Sequence, residues 1–120
     1  MKTILIVDDL ASVRFYHQLL LNQAGFRTLT AVDGSEAIAL LGQNQVDLVM
    51  LDLLMPKMSG AEFLSRARAT NRSGRLPVLI ITSEAQKETA QALRATGTCE
   101  ILQKPILPDA LLAAVRGLLA

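Results

Sequence analysis

The chain has 120 residues, 51% of them apolar, with 12 basic against 11 acidic residues and a formal net charge of +1. That is enough apolar material for one core without disulfides or a structural metal. The near-zero charge excludes a sequence-wide field that would hold nucleic acid or an anionic membrane by counterion release. With one cysteine and one histidine, no intramolecular disulfide can form and a zinc site of the Cys/His kind has too few ligands.

Thr3 to Val7 is a continuous apolar run, the pattern of a strand buried on both faces. Asp8 and Asp9 end it too early for a signal-peptide core or a bilayer span, so a cytoplasmic location and no membrane contact are expected. Val13, Tyr16 and Leu20 then follow helical spacing, and Gly25 stands where that helix should stop. His17, in the same helix and with no acid spaced to orient it, reads as a surface or partner-facing residue. Arg27 to Ala31 is a weaker strand. Asp33 with Glu36 has the spacing in which a cap side chain and a following acid satisfy helix-end N–H groups, and Ala37, Leu40 and Leu41 continue that helix.

Asp47 to Leu51 is the third apolar run and is followed by Asp52. Ser59 with Glu62 repeats the capping pattern ahead of Phe63, Leu64 and Ala67. Arg66, Arg68, Arg72 and Arg75 surround this third helix; without aromatic stacking partners they read as a solvated face rather than a phosphate or RNA contact. Pro77 to Ile81 is a fourth strand, followed by Thr82 and Ser83. Ala90, Leu93 and Arg94 mark a helix that Gly97 should end. Cys99 to Leu102 is the fifth strand, with Cys99 expected as a buried structural thiol, and Lys104 follows it. Leu111, Leu112 and Val115 belong to a last helix from about Pro108 to Leu119.

Strand and helix thus alternate five times, which predicts a single α/β domain over residues 1–120, a doubly wound parallel sheet with helices on both faces. Ligands of such sheets bind outside the carboxyl ends of the strands. At those ends stand Asp8 and Asp9, Asp52, Thr82 and Ser83, and Lys104. Three converging carboxylates would repel unless a cation neutralised them, and an acidic set without thiolate or imidazole suits Mg²⁺, which keeps several waters. Ca²⁺ fits less well, because no loop offers a longer series of oxygen ligands. Phosphoryl transfer needs an in-line nucleophile and positive charge around the equatorial oxygens. Asp52, ending the central strand, can be that nucleophile, with Lys104 as ammonium and Thr82 as hydroxyl donor.

In the segments "ILIVDD", "DGSEAI", "DLVMLDLLMPKMSG", "PVLIITS" and "ILQKP" the chain resembles the receiver domain of two-component response regulators, over its whole length and in the manner of the chemotaxis regulators. The resemblance implies a flavodoxin-like five-stranded sheet of order 2-1-3-4-5. It implies that Asp52 takes a phosphoryl group from a sensor histidine kinase or a histidine phosphotransfer protein. Asp8, Asp9 and Asp52, with the backbone carbonyl of Leu54, would hold Mg²⁺. Thr82 would move to bond the phosphoryl group, Lys104 would pair with it, and the Lys104-Pro105 bond is often cis in the family. Phosphorylation would switch binding of a downstream effector protein or output domain, with no nucleic acid bound by this domain itself. The domain would catalyse its own phosphorylation and dephosphorylation and turn over no metabolite. Because the last helix leaves no room for an output domain, either a stand-alone regulator or a receiver taken from a larger protein is expected.

Two alternatives remain at this level. An Mg²⁺-dependent phosphohydrolase of the haloacid dehalogenase type would also use an aspartate nucleophile, but that family places it after the first strand with a second acid two residues later, whereas Asp8 and Asp9 are adjacent and Leu10 follows. A phosphorylation-independent pseudo-receiver would not need all five site residues. No G-x-G pair or G-x-x-x-x-G-K loop supports a nucleotide or flavin module. The chain departs from the family at Ile101, where Tyr or Phe is usual and its ring reports the threonine shift. Leu54 and Glu84 occupy positions that influence how fast water removes the phosphoryl group. Apolar Leu54 cannot orient an attacking water, so the phosphorylated form should be long-lived. Leu54→Asn should shorten its lifetime, read as loss of label from the isolated protein; an unchanged decay would refute this role.

Overall fold

Strands of a parallel sheet covered on both sides are buried on both faces and read as near-continuous apolar runs. The computed structural model of the chain, which describes residues 1–53, 57–70, 75–94, 97 and 99–120, shows this arrangement. The strands are β1 (Thr3–Val7), β2 (Arg27–Ala31), β3 (Leu48–Asp52), β4 (Val78–Thr82) and β5 (Cys99–Gln103). They pair in parallel in the order β2-β1-β3-β4-β5. The helices are α1 (Ala11–Gln23), α2 (Gly34–Gln43), α3 (Gly60–Thr70), α4 (Lys87–Arg94), preceded by a 3-10 turn at Glu84–Gln86, and α5 (Pro108–Leu119). The doubly wound α/β class and the strand order expected from the sequence are both present.

Side chains alternate along each strand, so β1, β3 and β4 each feed two cores. Leu5, Val7, Val49, Leu51, Val78 and Ile80 pack with Ala37, Leu41, Phe63, Leu64, Ala67, Ala90 and Leu93 of α2, α3 and α4. Ile4, Ile6, Leu48, Met50, Leu79 and Ile81 pack on the opposite face with Leu21, Leu111 and Val115 of α1 and α5. Both proposed caps form: Glu36 N–H donates to Asp33 Oδ1 at 2.9 Å, and Glu62 N–H donates to Ser59 Oγ at 3.1 Å. Gly25 takes a positive φ of 97° just past α1, a conformation that costs a residue with a side chain about 1 kcal/mol.

Two readings from the sequence shift. β3 and β4 each begin and end one residue later than their apolar runs. Asp47 spends its carboxylate on the Thr3 N–H at 2.7 Å, and Pro77 has no N–H to give a ladder, so pairing starts at Leu48 and Val78. The consequence is that Asp52 and Thr82 are the last residues of strands, held by sheet hydrogen bonds. The buried stripe of α1 also lies one position from where the apolar spacing put it: His17 and Leu21 are buried, while Tyr16 is 42% exposed. His17 stands four residues after Val13 and four before Leu21, so it faces the sheet and is not the surface residue its polarity suggested.

Among the described residues, no helix is long and apolar enough to cross a membrane. Phe63 is among the largest fully buried side chains and anchors α3 against the sheet. Phe63→Ala should cost about 3–5 kcal/mol, measured as a lower midpoint in urea unfolding with an unchanged slope.

Candidate functional site

The strand order places β1 between β2 and β3, so connections leave β1 and β3 on opposite faces and a crevice opens at their carboxyl ends. The register pairs Val7 with Leu51, which brings Asp8 and Asp52, the next residues, to one level. Both are 3% exposed. On β4 and β5 the register pairs Thr82 with Gln103, which sets Lys104 just beyond Thr82. The structure therefore gathers Asp8, Asp52, Thr82 and Lys104 at one sheet edge, with exposed Asp9 beside them.

Lys104 Nζ lies 2.8 Å from Asp52 Oδ2, a charge-assisted contact that spans the sheet from β5 to β3. The Lys104-Pro105 bond is cis, and the Lys104 N–H donates to the Thr82 carbonyl at 2.8 Å. Asp8 is fixed from several directions: its N–H donates to the Ala31 carbonyl at 3.1 Å, and its Oδ1 accepts the Leu10 N–H at 2.9 Å. Burial pushes the Asp8 carboxyl from 3.8 up to about 6, against the Leu10 N–H; hydrogen bonding to Asp52 and its charge add to the rise, and Lys104 opposes it. With no metal, a proton on Asp8 is the physical alternative to two adjacent negative charges.

Thr82 is buried, and its hydroxyl donates to the Ser83 carbonyl at 3.0 Å. Next to it Gln103 Nε2 donates to Glu84 Oε2 at 2.7 Å, tying the end of β5 to the turn that opens α4. Ile101 is half-buried and packs against the core beneath α2, α3 and α4. Leu54, expected to offer its carbonyl, lies outside the described residues. Asp8, Asp9 and Asp52 supply only carboxylate oxygens, the donor type Mg²⁺ prefers. Among the described residues there is no ready cage of three acidic, thiol or imidazole ligands, which Mg²⁺ does not require because it retains water.

Several groups were not legible as site residues. His17 is 4% exposed, and burial lowers its imidazole below the usual range; the Asp52 charge opposes this and Lys104 adds to it, so the ring lies within the field of the site. Its spacing from Val13 and Leu21 was the available signal. Arg14 Nη1 donates to the Asp8 carbonyl at 2.6 Å, and no sequence pattern announced that contact. The arginine cluster divides. Arg66 pairs with Glu62 at 2.8 Å on the surface, Arg72 lies outside the described residues, and Arg75 is exposed. Arg68 is no part of a solvated face: it is half-buried, and its Nη2 donates to Cys99 Sγ at 3.2 Å. Cys99 is itself half-buried rather than enclosed.

The profile of the family described as the response regulator receiver domain matches residues 4–116. The DNA-binding dual master transcriptional regulator RpaA of Synechocystis is 37% identical over 119 residues, covering 99% of this chain and 49% of that protein. The chain spans about half the length of the curated relatives it matches. A receiver domain from Clostridium thermocellum superposes with a TM-score of 0.92 at 26% identity, covering 99% of this chain and 94% of that one. The chemotaxis protein CheY4 of Vibrio cholerae superposes with a TM-score of 0.89 at 34% identity, covering 98% of each chain. Sequence, strand order and the acidic sheet edge agree: the chain belongs to the response regulator receiver domains of two-component signalling.

Proposed function

We propose that Asp52 is the phospho-acceptor and that residues 1–120 act as one receiver domain in the cytoplasm, phosphorylated by a histidine kinase or a histidine phosphotransfer protein. The observation that carries this reading is the Lys104–Asp52 contact at 2.8 Å beside a second buried acid, Asp8. A carboxylate oxygen of Asp52 attacks phosphorus, the bond to the donor's imidazole nitrogen breaks, and the imidazole leaves with its electron pair. Lys104 neutralises charge on the acceptor and then on the phosphoryl oxygens. Mg²⁺ would be held by Asp8, Asp9, Asp52 and the Leu54 carbonyl, and would supply a Lewis acid for the phosphoryl oxygens.

Thr82 has to release the Ser83 carbonyl before its hydroxyl can bond the phosphoryl group. That exchange is the first event that the surface around β4 and α4 could report to an effector protein or output domain. Exposed apolar Leu10 stands beside Asp9, and exposed Phe15 and Leu19 lie one turn apart on α1. They offer a phosphodonor protein a contact at the rim it must reach. A phosphohydrolase is not favoured, because the buried acid paired with a lysine ends the third strand rather than the first.

Incubation with Mg²⁺ and acetyl phosphate should add one phosphoryl group to the intact protein, read by mass spectrometry. The addition should be absent with EDTA and in Asp52→Asn; equal modification of that variant would refute the assignment.

The raised Asp8 carboxyl gives a second expectation, for the metal-free protein. The native state keeps its proton up to about pH 6, while the unfolded chain loses it near 3.8. The native state therefore binds more protons in that window, and stability falls as pH rises through it, by up to about 3 kcal/mol. Denaturant melts in EDTA from pH 4 to pH 7 should show the decline, Asp8→Asn should flatten it, and Mg²⁺ should restore stability at pH 7.

A further inference from the structure

Arg14 stands near the start of α1, where the unpaired N–H groups of a helix disfavour a cation. α1 has no acidic residue in its first turn and no side-chain cap at Leu10, so nothing in the helix offsets that charge. The side chain turns back instead, and Nη1 donates to the Asp8 carbonyl at 2.6 Å in a partly buried setting. Departures from a local preference are expected at functional or strained sites.

The contacts at Asp8 show what this departure serves. Its N–H is held by the Ala31 carbonyl at 3.1 Å, its Oδ1 by the Leu10 N–H at 2.9 Å, and its carbonyl by Arg14. The partners in the first two contacts are backbone groups and the Asp8 carboxyl also bonds the Asp52 side chain, whereas Arg14 is a side-chain donor to the Asp8 main chain. The guanidinium faces the carbonyl, while the cation acting on the Asp8 carboxyl is Lys104. Arg14 thus acts on the geometry of the turn between β1 and α1 rather than as a charge partner of the acid.

We propose that Arg14 is a positioning residue for divalent-metal binding, clamping the Asp8 main chain so that Asp8 and Asp9 present their carboxylates to the ion. The inference rests on the Mg²⁺ reading above. Such a clamp belongs to the outer shell of a metal site, whose loss costs about tenfold or more in affinity.

The test is calorimetric titration of the whole chain with Mg²⁺ for wild type, Arg14→Met, Arg14→Lys and Arg66→Ala. Arg14→Met keeps the apolar stem and removes the donor, and should bind Mg²⁺ about tenfold more weakly. Arg14→Lys, which retains a charged donor, should recover part of the loss, and Arg66→Ala should match wild type. In acetyl phosphate assays, the Mg²⁺ concentration giving half-maximal rate should rise with Arg14→Met while the rate at saturating Mg²⁺ stays within about twofold. A merely structural role would lower the melting temperature without moving that midpoint. If Arg14→Met binds Mg²⁺ as well as wild type, or more tightly because a repelling charge is gone, the clamp is overturned while the metal site stands. If wild type binds no Mg²⁺, both are overturned.

Discussion

Asp8 and Asp52 meet at the ends of β1 and β3, each 3% exposed, where two ionised carboxylates would repel each other with little water to screen them. The surrounding structure resolves that conflict. Lys104 reaches across from β5 to Asp52, Asp8 retains a proton to about pH 6, and the Leu10 N–H takes up Asp8 Oδ1. Each response depends on the parallel register, which sets both acids at one level and brings Lys104 to the same edge. The register in turn depends on strands buried on both faces, since a slip of one residue would exchange the two cores.

Thr82 gives its hydroxyl to the Ser83 carbonyl, and Lys104 is bound directly to Asp52. A phosphoryl group on Asp52 would add negative charge where Lys104 already reaches, and would compete with the Ser83 carbonyl for the Thr82 hydroxyl. The neighbouring Gln103–Glu84 hydrogen bond ties the β5 end to the segment that Thr82 would drag. Ile101 offers no ring to rotate, so on the proposed reading the polar contacts at the β4 and β5 ends would carry the change from site to surface.

Much of this was legible in the sequence for identifiable reasons. Strands buried on both faces leave continuous apolar runs, and the Asp33 and Ser59 caps leave fixed spacings; both depend on residues near one another in the chain. The gathering of Asp8, Asp52, Thr82 and Lys104 at one sheet edge was legible because the carboxyl-end rule selects positions rather than patterns. What escaped depends on three-dimensional neighbours. The burial of His17 follows from which face of α1 meets the sheet, and apolar counting favoured Tyr16. The Arg14 contact is to a backbone carbonyl, which every residue carries, so no residue type could announce it. Arg68 was grouped with solvated arginines because its partners, Gly97 and Cys99, come from beyond the following strand.

If Asp52, and neither of the neighbouring acids, takes the phosphoryl group, the modified side chain can be identified chemically. Borohydride reduces an acyl phosphate to the corresponding alcohol and so records which aspartate carried it. After treatment of the protein with acetyl phosphate and Mg²⁺, reduction followed by peptide mass spectrometry should find homoserine at position 52 and aspartate retained at positions 8 and 9. Homoserine at position 8 or 9, or at none of the three, would contradict the account.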